Sequence, residues 1–368
     1  MYTENDLVRL AKRENNNKRG YLVVNRLQGK HIPVVPSEAF AMFHQLGELV
    51  RQQYQDEKLL LVGFAETATA IGASLAVFLK CEYIQTTREQ IDGVEYFYFS
   101  ESHSHATEQK LVKDDIDRVI TTADRVVFIE DEVTTGNTIL NIVKLMKKEY
   151  SESIRFGVAS LLNGMNEQAA AVYQELDIPT TYLVKTDHGK FDEKVADIPD
   201  DGIYIPPVKS DSSFPAYMMV RFGQYQNARR LVNGNEYGQA CEALWDQINN
   251  RLGLGSNQRL LVLGTEEFMY PAMYTAWKLE QQQNQVRFHA TTRSPIAVSK
   301  QEHYPLHTRY ELTSLYEDGR TTYLYNLDKY DKVLLITDSD CENGGAASVF
   351  SALMTAGNDH VIVIRWCD

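Results

Sequence analysis

The densest run of chemistry-bearing residues is Glu130-Asp131-Glu132-Val133-Thr134-Thr135-Gly136-Asn137-Thr138. It follows Val126-Val127-Phe128-Ile129, four apolar and mostly β-favouring residues that read as a buried strand. Behind it Ile139, Ile142, Val143 and Met146 recur at helical spacing. The expected local structure is a strand, a turn and a helix with one apolar face. A turn that opens a helix aims backbone N–H groups, with partial positive charge, at an anion such as a phosphate. The hydroxyls of Thr134, Thr135 and Thr138 add side-chain donors. Glu130 and Asp131, one strand end away, are placed to accept hydrogen bonds from sugar hydroxyls. Together these groups suit a phosphorylated sugar; the plain alternative is a strand–turn–helix with a solvated acidic end.

Other elements must bring further groups to the same place. Leu59-Leu60-Leu61-Val62-Gly63 reads as a buried strand, and Ala65-Glu66-Thr67-Ala68 lies in a turn of mostly small residues that lets backbone amides approach an anion. A helix follows, with Ile71, Leu75, Phe78 and Leu79 on one face. The next strand ends in Thr86-Thr87-Arg88, and the Arg88 guanidinium matches phosphate oxygens bidentately. Lys30 and His31 follow the tight turn at Gly29, either as anion contacts or as a solvated hairpin tip. His103 and His105 stand in a polar loop, with no third ligand nearby to complete a metal site. Residues 1–17 read as a polar helix or arm. Strands at 153–162 and 180–184 flank a helix at 167–176, so the βαβ order points to a parallel sheet with ligands at its C-terminal edge.

The strand–acid–acid–turn string resembles the phosphoribosyl pyrophosphate (PRPP) motif of type I phosphoribosyltransferases. The resemblance implies that Glu130 and Asp131 hold the ribose hydroxyls and that Thr134, Thr135, Gly136, Asn137 and Thr138 hold the 5′-phosphate. It implies that Ala65, Glu66, Thr67 and Ala68 form the pyrophosphate loop, with Arg88 bridging pyrophosphate oxygens. His103 and His105 would then ride on a flap that closes over substrate, or simply occupy a surface loop. Mg²⁺ enters mainly on PRPP, with Asp131 as the one candidate protein ligand. Glu132 departs from the motif, whose position is usually aliphatic. Thr134 stands where hypoxanthine-type relatives carry an Asp, so purine salvage is not implied.

The second half repeats the landmarks of the first. Leu260-Leu261-Val262-Leu263-Gly264 parallels residues 59–63, His289-Ala290-Thr291-Thr292-Arg293 parallels 84–88, and Lys332 to Asp338 parallels 125–131. The chemistry differs: Thr337 replaces the first acid, and Cys341-Glu342-Asn343-Gly344-Gly345 replaces the Thr-Thr-Gly turn. The expectation is a worn copy of the first sheet that binds something other than PRPP, lined by Glu266, Glu267, Arg293, Asp338 and Asp340; the plain alternative is two α/β domains with similar strand ends. The Thr292-Arg293-Ser294-Pro295 string also resembles the hallmark of a TRSP domain found fused to phosphoribosyltransferases in gene neighbourhoods linked to bacterial tellurium resistance and stress.

At 368 residues two domains are expected, and turn-rich residues 186–214 suggest a cut near 205: a phosphoribosyltransferase domain over 1–205 and a TRSP-type α/β domain over 206–368. The fold class is α/β, a parallel-sheet type I phosphoribosyltransferase fold followed by a second α/β domain. A net charge of −13 argues against nucleic acid or an anionic membrane as partner. No apolar run approaches the roughly 20 residues that span a bilayer, and four cysteines without metal-ligand spacing fit a reducing cytoplasm. The implied activity is transfer of ribose 5-phosphate from PRPP to a small-molecule acceptor, releasing pyrophosphate, in the making of a nucleoside-like product. A homodimer and partner enzymes of the same cluster accompany that reading. The alternatives are a PRPP-binding regulator without catalysis and a scaffold for a multi-enzyme cluster.

Overall fold

The computed structural model describes residues 1–14, 19–99, 109–207, 219–342 and 344–367. It divides into two compact units: Met1–Tyr2, Phe40–Asp187 and Gln226–Gln239 form the first, and Thr3–Ala39, His188–Tyr225 and Ala240–Asp368 the second. The units therefore do not follow a single cut at residue 205. Residues 8–12 are a strand, Val8–Lys12, paired antiparallel with Tyr21–Asn25 rather than a helical arm. Ala11, Leu22 and Val24 of that hairpin share a core with Ile296, Val298, Leu306 and Tyr325. Burial of these side chains ties the N-terminal segment to the second unit, a long-range partnership that local sequence does not display.

The described sheet of the first unit has the order Val232–Asn233, Glu82–Gln85, Leu59–Gly63, Arg125–Val133, Arg155–Asn163, Thr180–Lys185. All neighbours are parallel except the short Val232–Asn233. Strands buried on both faces must be apolar throughout, and Leu59 to Gly63 and Val126 to Ile129 are buried at every position. Helix Thr69–Leu79 is buried from Thr69 to Ala76, which its run of Ala, Gly, Ile and Leu permits. Helix Asn137–Glu149 buries Ile139, Ile142, Val143 and Met146, the face its spacing predicts.

In the second unit the five-stranded sheet is parallel throughout, in the order Met219–Phe222, Val361–Trp366, Lys332–Thr337, Arg259–Gly264, Gln285–Ala290. Both units share one topological feature. Leu59–Gly63 and Arg259–Gly264 each have the next strand in sequence, Glu82–Gln85 or Gln285–Ala290, on one side and a later strand, Arg125–Val133 or Lys332–Thr337, on the other, so the connections leaving adjacent strand ends diverge. Such a switch point leaves a crevice at the C-terminal edge of a parallel sheet, where ligands bind.

Candidate active site

In the first unit the crevice lies between the ends of Leu59–Gly63 and Arg125–Val133, whose register pairs Gly63 with Ile129. Glu130 and Asp131 follow Ile129 directly and are half-buried. Across the crevice Thr67 donates its hydroxyl to Asp131 Oδ1 at 2.8 Å. Burial, and then the neighbouring Glu132 charge, push the Asp131 carboxyl above its ordinary range, and the Thr67 hydrogen bond opposes them in part. A carboxylate in that state gains from any donor or cation brought to it.

The loop 64–68 is held by a closed set of hydrogen bonds. Ala65 N–H donates to Thr86 Oγ1 at 2.8 Å, Thr86 Oγ1 donates to Gln109 Oε1 at 3.0 Å, and Gln109 Nε2 donates to Ala65 O at 2.7 Å. Phe64 N–H reaches Ile129 O at 3.0 Å and Ala68 N–H reaches Phe64 O at 2.9 Å. The Ala65–Glu66 peptide is cis. Tyr83 lies beneath: its hydroxyl donates to Thr69 O at 2.9 Å, and a Cβ at Gly63 would stand 2.6 Å from the Tyr83 hydroxyl oxygen, which favours glycine there. Arg88 follows Thr87, whose backbone exchanges hydrogen bonds with Lys110 at 2.8 and 2.9 Å.

The turn 134–138 opens helix Asn137–Glu149 through Gly136, which takes a left-handed φ of 70°. Tyr173 donates to Gly136 O at 2.7 Å, and a Cβ on Gly136 would meet that hydroxyl at 2.3 Å. Glycine is thus required twice, for its dihedral and for the space Tyr173 fills. Thr135 and Asn137 are exposed and Thr134 and Thr138 half-buried, so the turn presents its polar groups to solvent. Burial and the nearby Glu130 raise the Tyr173 hydroxyl pKa, which keeps it a donor.

Sequence reasoning missed Gln109 and Tyr173, because nothing local marks a residue that supports a loop from another element. Thr86 lay in a quoted string, but its role as acceptor for Ala65 required the strand register. Lys30 and His31 belong to the second unit. Lys30 is fully buried and donates to Glu266 O at 2.7 Å and Thr291 O at 2.9 Å, which excludes a solvated hairpin tip. His103 and His105 lie outside the described residues.

The second unit repeats several bonds of this frame. Glu266 N–H donates to Thr291 Oγ1 at 3.0 Å, as Ala65 does to Thr86. Thr291 N–H reaches Gly264 O at 3.1 Å, as Thr86 N–H reaches Gly63 O at 2.9 Å. Thr292 and Tyr323 exchange backbone hydrogen bonds at 3.0 and 2.7 Å, as Thr87 and Lys110 do. Gly344, with φ 84°, caps helix Gly345–Thr355 as Gly136 caps its own. Glu266, Glu267 and Arg293 do not line an open site as the sequence suggested; they pair with one another.

Residues 7–187 match the model of a family described as phosphoribosyl transferase, and residues 220–353 match one described as the TRSP domain C-terminal to it. The chain carries a phosphoribosyl transferase domain followed by its TRSP domain. Among solved structures it is similar to adenine phosphoribosyltransferase from Rhodothermus marinus, with 14% identity over 50% of this chain and 96% of that one and a TM-score of 0.37. Similar too are adenine phosphoribosyltransferase from Trypanosoma brucei, in complex with AMP, pyrophosphate and ribose-5-phosphate (17%, 52% and 78%, 0.35), and orotate phosphoribosyltransferase from Aeropyrum pernix (16%, 52% and 93%, 0.33). At these scores the likenesses add nothing to the family match. No curated protein matches the chain. The phosphoribosyl transferase match includes the N-terminal hairpin and Lys30, although both fold with the second unit. Among the described residues no helix is long and apolar enough to cross a membrane.

Proposed function

We propose that the first-unit crevice binds PRPP and transfers its ribose 5-phosphate to a small-molecule nucleophile. The observation that carries this reading is the meeting of three features within one crevice of a phosphoribosyl transferase domain. A carboxylate stands at a buried strand end, a turn with left-handed Gly136 opens a helix beside it, and a small-residue loop lies opposite, linked through the 2.8 Å Thr67–Asp131 bond. In this reading Asp131 and Glu130 accept the ribose hydroxyls, and the amides and hydroxyls of 134–138 take the 5′-phosphate. The 65–68 loop and Arg88 take the pyrophosphate. The C1–oxygen bond to pyrophosphate breaks as the nucleophile bonds to C1, and the carboxylates offset the positive charge that develops on the sugar.

Mg²⁺ fits this arrangement as a passenger on PRPP. Among the described residues no three metal-ligating side chains converge, and Asp131, with its raised pKa, is the carboxylate that a nearby cation would favour in ionised form. Bound there, the ion would neutralise charge on the departing pyrophosphate. Homodimer formation, a nucleoside-like product and partner enzymes of one biosynthetic cluster extend the same proposal.

Calorimetric titration of Mg–PRPP into wild type and Asp131→Asn tests the site, followed by acceptor screening for pyrophosphate release. Binding that Asp131→Asn abolishes supports the reading. No binding by wild type refutes it, and tight binding without turnover against any acceptor moves the protein to the regulator class.

A further inference from the structure

The two units share a backbone frame, and the side chains on it differ where an anion would sit. At the hydrogen-bonded position occupied by Ala65 in the first unit stands Glu266 in the second, while the next position carries a glutamate in both, Glu66 and Glu267. Ser314 donates to Glu266 Oε1 at 2.5 Å, and Arg320 Nη1 pairs with Glu266 Oε2 at 2.9 Å. Arg293, the frame counterpart of Arg88, lies 3.6 Å from Glu266 Oε2 and donates to Glu267 Oε1 at 2.9 Å. The two glutamates are almost wholly buried, and the two arginine side chains are only 11% and 16% exposed. Glu266 adopts φ 47°, a conformation disfavoured for a residue with a side chain. The adjoining carboxylate position is also answered from within: Asp338, counterpart of Asp131, accepts Tyr316 and Tyr225 hydroxyls at 2.5 and 2.6 Å. Thr337, in place of Glu130, meets Thr265 Oγ1 at 2.9 Å.

We propose that the second unit holds an anion subsite closed by the chain's own carboxylates: Glu266 stands between Arg293 and Arg320 and Glu267 beside Arg293, where the phosphoryl groups of a diphosphate would stand. Guanidinium forks match carboxylate and phosphate alike, so adjacent carboxylates on one loop satisfy both arginines and leave no place for an external diphosphate. Two consequences follow. The chain takes one PRPP, not two, and deleting a carboxylate reopens the subsite to a small diphosphate. The first consequence rests on the reading of the first crevice; the second does not.

The test compares thermal melts of wild type, Glu267→Ala and Glu267→Ala/Arg293→Ala with and without inorganic pyrophosphate at fixed Mg²⁺. Glu267→Ala is expected to melt lower than wild type and to gain more from pyrophosphate, by roughly 3–6 °C beyond the wild-type shift at tenfold excess over Kd. The double variant, which lacks the arginine as well, shows no such excess. Equal shifts in all three proteins overturn the proposal. Should Glu267→Ala not stay folded alone, refolding yield with and without pyrophosphate is read against the same double variant, with the same two outcomes. Titration of wild type with PRPP should give one site per chain; two would overturn the closure. A wild type that takes no PRPP would refute the first-crevice reading, whereas the melts, scored against the wild type's own pyrophosphate shift, would still decide this one.

Discussion

Replacing Gly136 by Ala perturbs the turn at its tightest point. Alanine at φ 70° costs roughly 1–2 kcal/mol in the left-handed region. Its Cβ would stand 2.3 Å from the Tyr173 hydroxyl and 2.7 Å from two ring carbons, so Tyr173 must move. That movement forfeits the 2.7 Å bond to Gly136 O, worth roughly 0.5–1.5 kcal/mol. Repacking adds roughly 1–3 kcal/mol. The free loop relaxes away from the binding geometry while the bound loop cannot, so even the low end, about 2.5 kcal/mol, weakens ribose 5-phosphate and PRPP on the order of 50- to 100-fold. Pyrophosphate, assigned to the 65–68 loop in the proposed reading, should lose little. Calorimetry with the three ligands separates these cases, and adding Tyr173→Ala should recover the steric share but not the dihedral share. Unchanged affinity for ribose 5-phosphate, or an equal loss on pyrophosphate, would refute the assignment of this turn to the 5′-phosphate.

Three further outcomes are expected. Asp131 is raised in the fold, so the folded state binds more protons than the unfolded state above pH 3.8, and stability falls as pH rises through that window. Asp131→Asn without ligand should therefore melt higher than wild type at pH 7 and flatten the pH dependence; a lower melt would contradict the burial argument. His289 is buried between Gly29 O and Tyr325 O, and its pKa is lowered to about 4. The unfolded chain binds the proton first, so on the order of 3 kcal/mol of stability present at pH 7 is lost as pH falls from about 6.5 to 4. Urea unfolding across that range should show the loss, and His289→Asn should remove most of it. Lys30→Met leaves Glu266 O and Thr291 O without their ammonium donor, costing about 2–4 kcal/mol. Its thermal melt should drop while PRPP affinity holds, and an equal fall in affinity would return Lys30 to the PRPP site.

Much of this protein is local in origin. The run 126–138 specified its strand, its acidic end and its helix, because burial on both faces demands an unbroken apolar strand and because helical spacing selects one apolar face. The landmark strings of the second half likewise announced a repeated frame, since Thr-Thr-Arg at a strand end uses the same hydroxyl to hold the loop of its neighbour. Three-dimensional packing alone decided the rest. It assigned residues 3–39 to the second unit through the shared core of Leu22, Val24, Ile296 and Leu306. It brought Gln109 and Tyr173 beneath loops 44 and 37 residues away in sequence. It also turned Glu266, Glu267 and Arg293 from candidate ligands of an outside molecule into partners of each other. Sequence states which charges a crevice edge will carry; only the fold brings opposite charges within contact, and at that distance they satisfy one another before any ligand arrives.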